Sequence, residues 1–471
     1  MSPDQDHRHA DEAGAARHLT LTVGAPAAGG TFVARHEGRV VFVRGTAPGE
    51  TVTARVLEDP SEAASARFWR AEAVDVLEAG LDRVPTVWPE AGVDGVGGAE
   101  WAHIALPAQR RIATEVMQDL LRRAGVTSYP LEDVQVEPAP HDMDGLGWRT
   151  RVRFAVDEHG RVGMRGWRSH EVREVGDNPL AAQAIRDLGL GAWTAPPGTE
   201  AVDAVAPSAG PASVVLIGRE LDPAGLEVPQ AWGDADVSVR TARGLVPLRG
   251  DGTVRERVGE RLFTVSATGF WQVHRRAAEL LSEVVSDALR APRGGSAWDL
   301  FGGVGLFAAV AADQVGPDGQ VLTVEGNRRA SVLAAENLQD LPQVSAATAD
   351  VTDWVRARKG GGLRGAGSAA QRSRRGSDRA ADGEGASPHR VRLLRAVHPG
   401  PGPRRRRACR MVGGGRARLR PVPAHPPHRI GDGAGARIRA LRTPTPTSRP
   451  TPLPRRAESR SSVLPFILTS R

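Results

Sequence analysis

The sequence predicts an α/β protein in which a parallel-sheet domain follows a small OB-like β-barrel and a β-rich central insertion. Three observations carry this. Short β-rich runs fill the first eighty or so residues, helix and strand patterns alternate from Leu262, and a strand, a glycine turn and a helix follow one another across Trp298–Phe307.

The barrel comes first. Leu19–Val23, Arg39–Arg44, Thr51–Glu58 and Arg67–Leu77 are rich in β-formers, separated by Gly24–Gly30 and by Gly45-Thr46-Ala47-Pro48-Gly49-Glu50. Short strands this close together fit a small barrel, assigned to residues 17–78. OB-like barrels often bind nucleic acid on one face, but a barrel without a ligand fits the pattern equally.

Residues 79–261 hold a helix, Pro107–Ala124, and a β-rich section. Thr150–Val156 alternates, with Val152, Phe154 and Val156 on one face and Arg151 and Arg153 on the other. Asp157-Glu158-His159-Gly160 turns this strand into a second one from Arg161. The two arginines either contact phosphate or sit on a solvated sheet face.

Across 262–358 the pattern becomes helix Ala277–Leu289, strand Ala297–Leu300, helix Leu306–Asp313, strand Gln320–Val324, helix Arg328–Leu338 and strand Val344–Ala349. Such alternation marks a parallel sheet.

The charge is unevenly placed. The net charge is +7, yet residues 359–471 hold 26 Lys and Arg against 5 Asp and Glu, while the first 358 hold 36 against 50. The basic balance therefore belongs to the tail, and overall charge is no evidence of nucleic-acid binding by the acidic body. The tail is dense in Arg, Gly, Pro and Ala, with Phe466 its one aromatic residue. Disorder is expected there, with an RNA-binding arginine tail as the alternative. The single cysteine, Cys409, excludes a disulfide framework and any cysteine-rich metal site. No apolar run has membrane-span length, and the N-terminus lacks a signal-peptide pattern, so a soluble, cytoplasmic monomer is expected.

Function is most legible in Trp298-Asp299-Leu300-Phe301-Gly302-Gly303-Val304-Gly305-Leu306-Phe307. Glycines between a strand and a helix let a ligand approach the backbone and the helix N-terminus. Glu325 closes the next strand, where a carboxylate suits the two ribose hydroxyls of an adenosine cofactor, and Asp350 closes the third, placed to bond the adenine amino group. Three readings share this pattern: a nicotinamide dehydrogenase, an S-adenosylmethionine enzyme, and a strand–turn–helix corner with no ligand. The final glycine of the dinucleotide fingerprint is missing, which favours S-adenosylmethionine.

Upstream, Val265-Ser266-Ala267-Thr268-Gly269-Phe270-Trp271-Gln272-Val273-His274 resembles the segment preceding the cofactor strand in RNA 5-methyluridine (uracil-C5) methyltransferases. Asp299-Leu300-Phe301 and Val324-Glu325-Gly326-Asn327 are similar to that family's motifs. Gly38-Arg39-Val40-Val41-Phe42-Val43 and the Ala47-Pro48-Gly49-Glu50 turn resemble its TRAM domain. The resemblance implies a Rossmann-like S-adenosylmethionine domain, with Gln272, Asp299, Phe301, Gly303, Gly305, Glu325 and Asp350 at the cofactor, and ribosomal or transfer RNA as partner.

Two departures stand out. Many relatives hold an iron–sulfur cluster through a Cys-Gly-Gly-Cys element. Here the corresponding residues are Val96-Gly97-Gly98-Ala99, so no cluster is expected. The family also attacks uracil C6 with a cysteine thiolate and removes the C5 proton with a carboxylate. The Asp-Pro-Pro-Arg, Ser-Cys-(Asp/Glu)-Pro and His-rich motifs expected after the third strand are absent. Cys409, inside an arginine run, is read as incidental.

Reading frame accounts for the loss. Codons compatible with Leu363–Arg375, read one base later, can spell Phe-Val-Val-Leu-Asp-Pro-Pro-Arg-Ser-Gly-Ala-Gly. The same shift over Arg392–Pro403 permits Val-Ser-Cys-Glu-Pro, and over Val422–Gly433 Phe-Pro-His-Thr-His-His-Ile-Glu. Three motifs in family order and one register indicate a frameshift near Lys359–Gly362. The chain as written is then expected to be inactive. The rival reading is a non-catalytic RNA-binding protein made of a TRAM barrel and a basic tail.

Overall fold

The computed structural model describes residues 17–57, 66–140, 144–167, 169–359 and 393–395. The barrel strands are β1 (His18–Thr22), β2 (Pro26–Ala27), β3 (Thr31–His36), β4 (Arg39–Arg44), β5 (Thr51–Val56) and β6 (Phe68–Glu78), in the order β1-β5-β6-β4-β3-β2. Strand β3, absent from the sequence expectation, pairs antiparallel with β4 around Glu37-Gly38, both at positive φ. Period-two alternation turns Phe32, Ala34, Val41, Val43, Val52, Ala54, Trp69 and Ala71 into one core. Helix α1 (Leu106–Arg123), read from sequence as part of the central region, adds Ala108 and Ile112 to that core. Their i, i+4 spacing puts both on one helix face.

Glu50 closes the barrel's glycine–proline turn. Its side chain is fully buried and accepts hydrogen bonds from Thr46 Oγ1 (2.8 Å), the amides of Ala47 (2.8 Å) and Gly80 (3.2 Å), and Arg83 Nη2 (2.8 Å). Burial opposes ionisation, but these donors outweigh it and hold the carboxyl at about 2.

The central region is a seven-stranded sheet built from β7 (Arg151–Val156), β8 (Val162–Arg165), β9 (Val172–Glu174), β10 (Ala201–Val205), β11 (Ser213–Ile217), β12 (Asp236–Thr241) and β13 (Gly244–Arg249). The short helix α2 (Gln183–Arg186) packs Ile185 beneath it. Arg153 is exposed and forms a bidentate pair with Asp203 at 2.6 and 2.7 Å. Arg151 corrects the sequence expectation of a solvated or phosphate-facing side chain. It is largely withdrawn from solvent, its side chain 12% exposed, donates to Gly269 O at 2.9 Å, and lies 3.7 Å from Glu256.

The last part begins with the hairpin β14 (Thr253–Val258) and β15 (Arg261–Ser266), then α3 (Ala277–Leu289). Strands β16 (Ser296–Leu300), β17 (Gln320–Glu325), β18 (Val344–Thr348) and β19 (Leu393–Arg395) form a four-stranded parallel sheet in the order β18-β17-β16-β19. Strand β19 stands within the segment expected to lack structure. Helices α4 (Leu306–Val315) and α5 (Arg328–Asn337), with α3 and the hairpin, cover one face through Ala308, Ala312, Leu333 and Phe263. Helix α6 (Val351–Lys359), not foreseen from sequence, covers the other, where Trp354 meets Trp298 edge-on at 5.0 Å.

Two tethers set the geometry of the strand ends. The side chain of Asn337 donates to Thr264 O and Val304 O, both at 3.0 Å, and accepts from Thr264 N at 2.8 Å. It thereby ties the hairpin to the glycine turn. The segment around Gln272 is bound to the central sheet through Thr150 N to Val273 O (2.7 Å), Arg275 N to Trp148 O (3.0 Å) and the Arg151–Gly269 bond, with His274 stacked on Trp148 at 5.6 Å.

Candidate functional site

Strand β16 ends in a turn whose shape depends on its glycines. The amides of Phe301 and Gly302 both donate to Val324 O, at 2.9 and 3.1 Å, drawing the turn against β17. A side chain at Gly302 would place Cβ 1.9 Å from Thr323 Oγ1, and one at Gly305 would lie 2.6 Å from Leu338 Cδ1. Gly303, at φ 57°, has open space where a side chain would stand, so that edge of the backbone is accessible. Phe301 sits at φ 64°, unfavourable for a bulky residue, and is 42% exposed beside the open edge.

The acidic residues converge on the same edge. Glu325 Oε2 accepts from Gly303 N at 3.0 Å and Oε1 from Asn327 N at 2.7 Å. Each carboxylate oxygen keeps a second lone pair for another donor. Asn327 caps α5 by accepting from Ala330 N at 3.1 Å. The amide of Ala349 donates to Glu325 O at 3.1 Å, which brings Asp350 alongside. Asp350 is exposed and caps α6 by accepting from Asp353 N at 2.9 Å.

Asp299 stands apart from that edge. It is 3% exposed beneath the turn, and its carboxyl accepts from the amide of Ala308, the third residue of α4. The preceding strand thus caps a helix that has no side-chain cap of its own. Oδ2 has no hydrogen-bond partner among the described residues, nor has Thr323 Oγ1, its cross-strand neighbour under Gly302. Burial, reinforced by the nearby charge of Glu325 and opposed by the Ala308 bond, raises the Asp299 carboxyl to about 7. Gln272 is half-buried, and its side-chain amide makes no hydrogen bond among the described residues.

An adenosyl group fits this donor set. The carboxylate with spare lone pairs, the exposed ring and the unobstructed backbone at Gly303 lie where parallel strands end, the usual ligand edge of such sheets. A cleft of about 980 Å³ elsewhere, walled by Glu260, Asp313, Glu336 and Asp340, is too acidic for an RNA strand. Asn337 and Thr323 were missed from sequence, because a lone polar residue inside an element carries no motif. Cys409 lies outside the described residues. Val96 and Ala99 belong to a small apolar cluster with Trp88, Ala91 and Val175.

A Rossmann-like sheet with this strand-end chemistry, behind an OB-like barrel, defines an S-adenosylmethionine-type methyltransferase fold with an RNA-binding-type module. Residues 17–68 match the TRAM domain family. An uncharacterized RNA methyltransferase of Streptomyces coelicolor is 40% identical over 338 residues, 69% of this chain and 72% of that one. The 23S rRNA (uracil(1939)-C(5))-methyltransferase of Acidithiobacillus ferrooxidans is 29% identical over 358 residues, 70% of this chain and 76% of that one. The solved structure of the Pyrococcus abyssi tRNA (uracil-54, C5)-methyltransferase, in complex with S-adenosyl-L-homocysteine, superposes with a TM-score of 0.51 at 17% identity. It covers 70% of this chain and 80% of that one, a likeness of fold. The chain belongs to the RNA methyltransferase family of its Streptomyces relative.

Proposed function

We propose that the chain derives from a monomeric enzyme that forms 5-methyluridine in ribosomal or transfer RNA, and that it has lost catalysis because residues beyond about Lys359 are read out of frame. The observation that carries the cofactor half is Glu325 held against Gly303 at the strand ends. Bound S-adenosylmethionine would supply an electrophilic methyl group. Glu325 would accept the ribose hydroxyls, Asp350 the adenine amino group, and Gln272 would contact the methionine part. Phe301, Gly303 and Gly305 would shape the edge between them, while Asp299 would act through the turn.

The reacting groups are another matter. Methyl transfer to uracil C5 needs a thiolate at C6 and a base for the C5 proton. No cysteine occurs before Cys409, and Cys409 lies outside a Ser-Cys-Glu-Pro context. Nor would an iron–sulfur cluster form at Val96 and Ala99, because neither side chain can ligate iron.

The test is to sequence codons 355–365, restore the frame, and compare transfer of labelled methyl groups to RNA by both chains. Activity in the restored chain alone supports the reading. Methylation by the chain as written would overturn it, and inactivity of both would favour the non-catalytic RNA-binding alternative.

A further inference from the structure

We infer that the outer face of strands β3, β4 and β6 is a stacking platform for single-stranded RNA. The inference rests on RNA being the partner, and it names the surface that takes it. The registers align Arg35 with Val40 and Val40 with Phe68 in one row, and Val33 with Phe42 and Phe42 with Arg70 in the next. Alternation aims all six away from the barrel core, since their neighbours Phe32, Ala34, Val41, Val43, Trp69 and Ala71 fill it.

Within this patch Phe42 and Phe68 meet edge to face, with centroids 5.4 Å apart, and Phe68 is 45% exposed. A half-buried ring against an exposed one leaves a contiguous apolar surface in water, a feature that a stacked ligand would cover. Arg35 and Arg70 occupy opposite corners, and both are exposed. Aromatic faces accept any base by stacking, and flanking guanidinium groups meet the phosphates.

Arg70 also borders a cleft of about 390 Å³ that holds Glu72 and Asp94 beside Arg44 and Arg55, and the Arg44 guanidinium is buried and paired with Glu72, so the platform ends at that edge. A protein partner would find two rings and two valines between two cations, a small area for a stable interface.

The experiment measures binding of fluorescein-labelled oligouridine, about twelve nucleotides long, to the full chain by anisotropy over a range of salt. Replacing both rings (Phe42→Leu with Phe68→Leu) should weaken binding about tenfold or more, leaving the salt dependence unchanged. Replacing both cations (Arg35→Gln with Arg70→Gln) should flatten the slope of log affinity against log salt by roughly 1.4. Thermal melting confirms that each variant folds. Unchanged affinity in the ring variant, or no binding by the parent chain, overturns the platform. So does a concentration-dependent dimer abolished by the ring variant, which would make a second copy the occupant. Cofactor affinity measured on the same variants should stay at the parent value. Its absence from the parent chain, with RNA binding intact, would count against the methyltransferase reading and not against the platform.

Discussion

Glu325 and Gly303 are joined by a single hydrogen bond, carboxylate Oε2 to backbone amide at 3.0 Å, which locks the end of one strand to the turn after its neighbour. One carboxylate therefore shapes the turn and still has lone pairs open to a further donor. Glu325→Ala should weaken S-adenosylhomocysteine binding by about 2 kcal/mol, roughly thirtyfold, measured by calorimetry. An unchanged affinity would remove Glu325 from the site.

Asp299 makes stability depend on pH with a defined sign. Its carboxyl titrates at about 7 in the fold, against 3.8 when unfolded, so the native state holds the proton more tightly. Its contribution is fully present below pH 3.8 and is lost as pH rises through about 7, with a ceiling of about 4 kcal/mol. Asp299→Asn keeps an acceptor for the Ala308 amide and cannot ionise. It should be more stable than the parent at pH 8, with the difference shrinking towards pH 5, as read from urea unfolding. A constant difference would mean that Asp299 does not titrate in this range.

Glu50 should show the opposite sign. Held at about 2 against 4.5 unfolded, it stabilises the barrel above pH 4.5 and loses that contribution as pH falls towards 2. Glu50→Gln should cost about 3 kcal/mol at neutral pH and flatten the acid limb of the stability curve. Circular dichroism melts from pH 2 to 7 would reveal either outcome. An acid limb identical to the parent's would show that other carboxyls control it.

Asn337 makes three hydrogen bonds with one amide, the one to Val304 O fully buried. Asn337→Leu conserves bulk but strands two carbonyls and an N–H, and should destabilise by roughly 3 kcal/mol. Because one of those carbonyls belongs to Val304 in the glycine turn, cofactor affinity should fall too. Loss of stability with full affinity would show that the turn holds its shape without the tether.

The frame reading predicts a covalent outcome. Restoring the frame near codon 360 creates a cysteine across Leu394 and Arg395 and a glutamate across Arg429 and Ile430. The restored chain should form an adduct with 5-fluorouridine RNA, because fluorine at C5 cannot leave as a proton does. The chain as written should form none. An adduct lost on Cys409→Ser would make Cys409 the nucleophile and end the frameshift explanation.

Much of this architecture was legible because regular elements carry periodic signals. The helix expected over Ala277–Leu289 stands at those residues, and Arg39–Arg44 is a strand at both expected ends. Strand β3 carries little signal of its own, because glycines precede and follow it within a few residues. The strand–turn–helix corner at Gly303 and Gly305, with Glu325 closing the next strand, was readable because its spacing follows from that geometry. Arg151 was not, since its partner Gly269 lies 118 residues away and only the fold brings them together. Asp299 shows the same limit. Its place in a motif suggested a ligand contact, while burial decides that it supports the turn from below.

The suspension of the Gln272 segment from Trp148, Thr150 and Arg151 has a consequence for anyone recombining members of this family. A chimera that joins one enzyme's β-rich insertion to another's α/β domain must carry the 148–151 stretch and the 267–275 stretch as a matched set. A splice at 262 would divide them between two parents. Mismatched parents should each supply well-folded halves yet leave the glutamine out of place. Functional crossovers should therefore cluster before residue 148 or after residue 275.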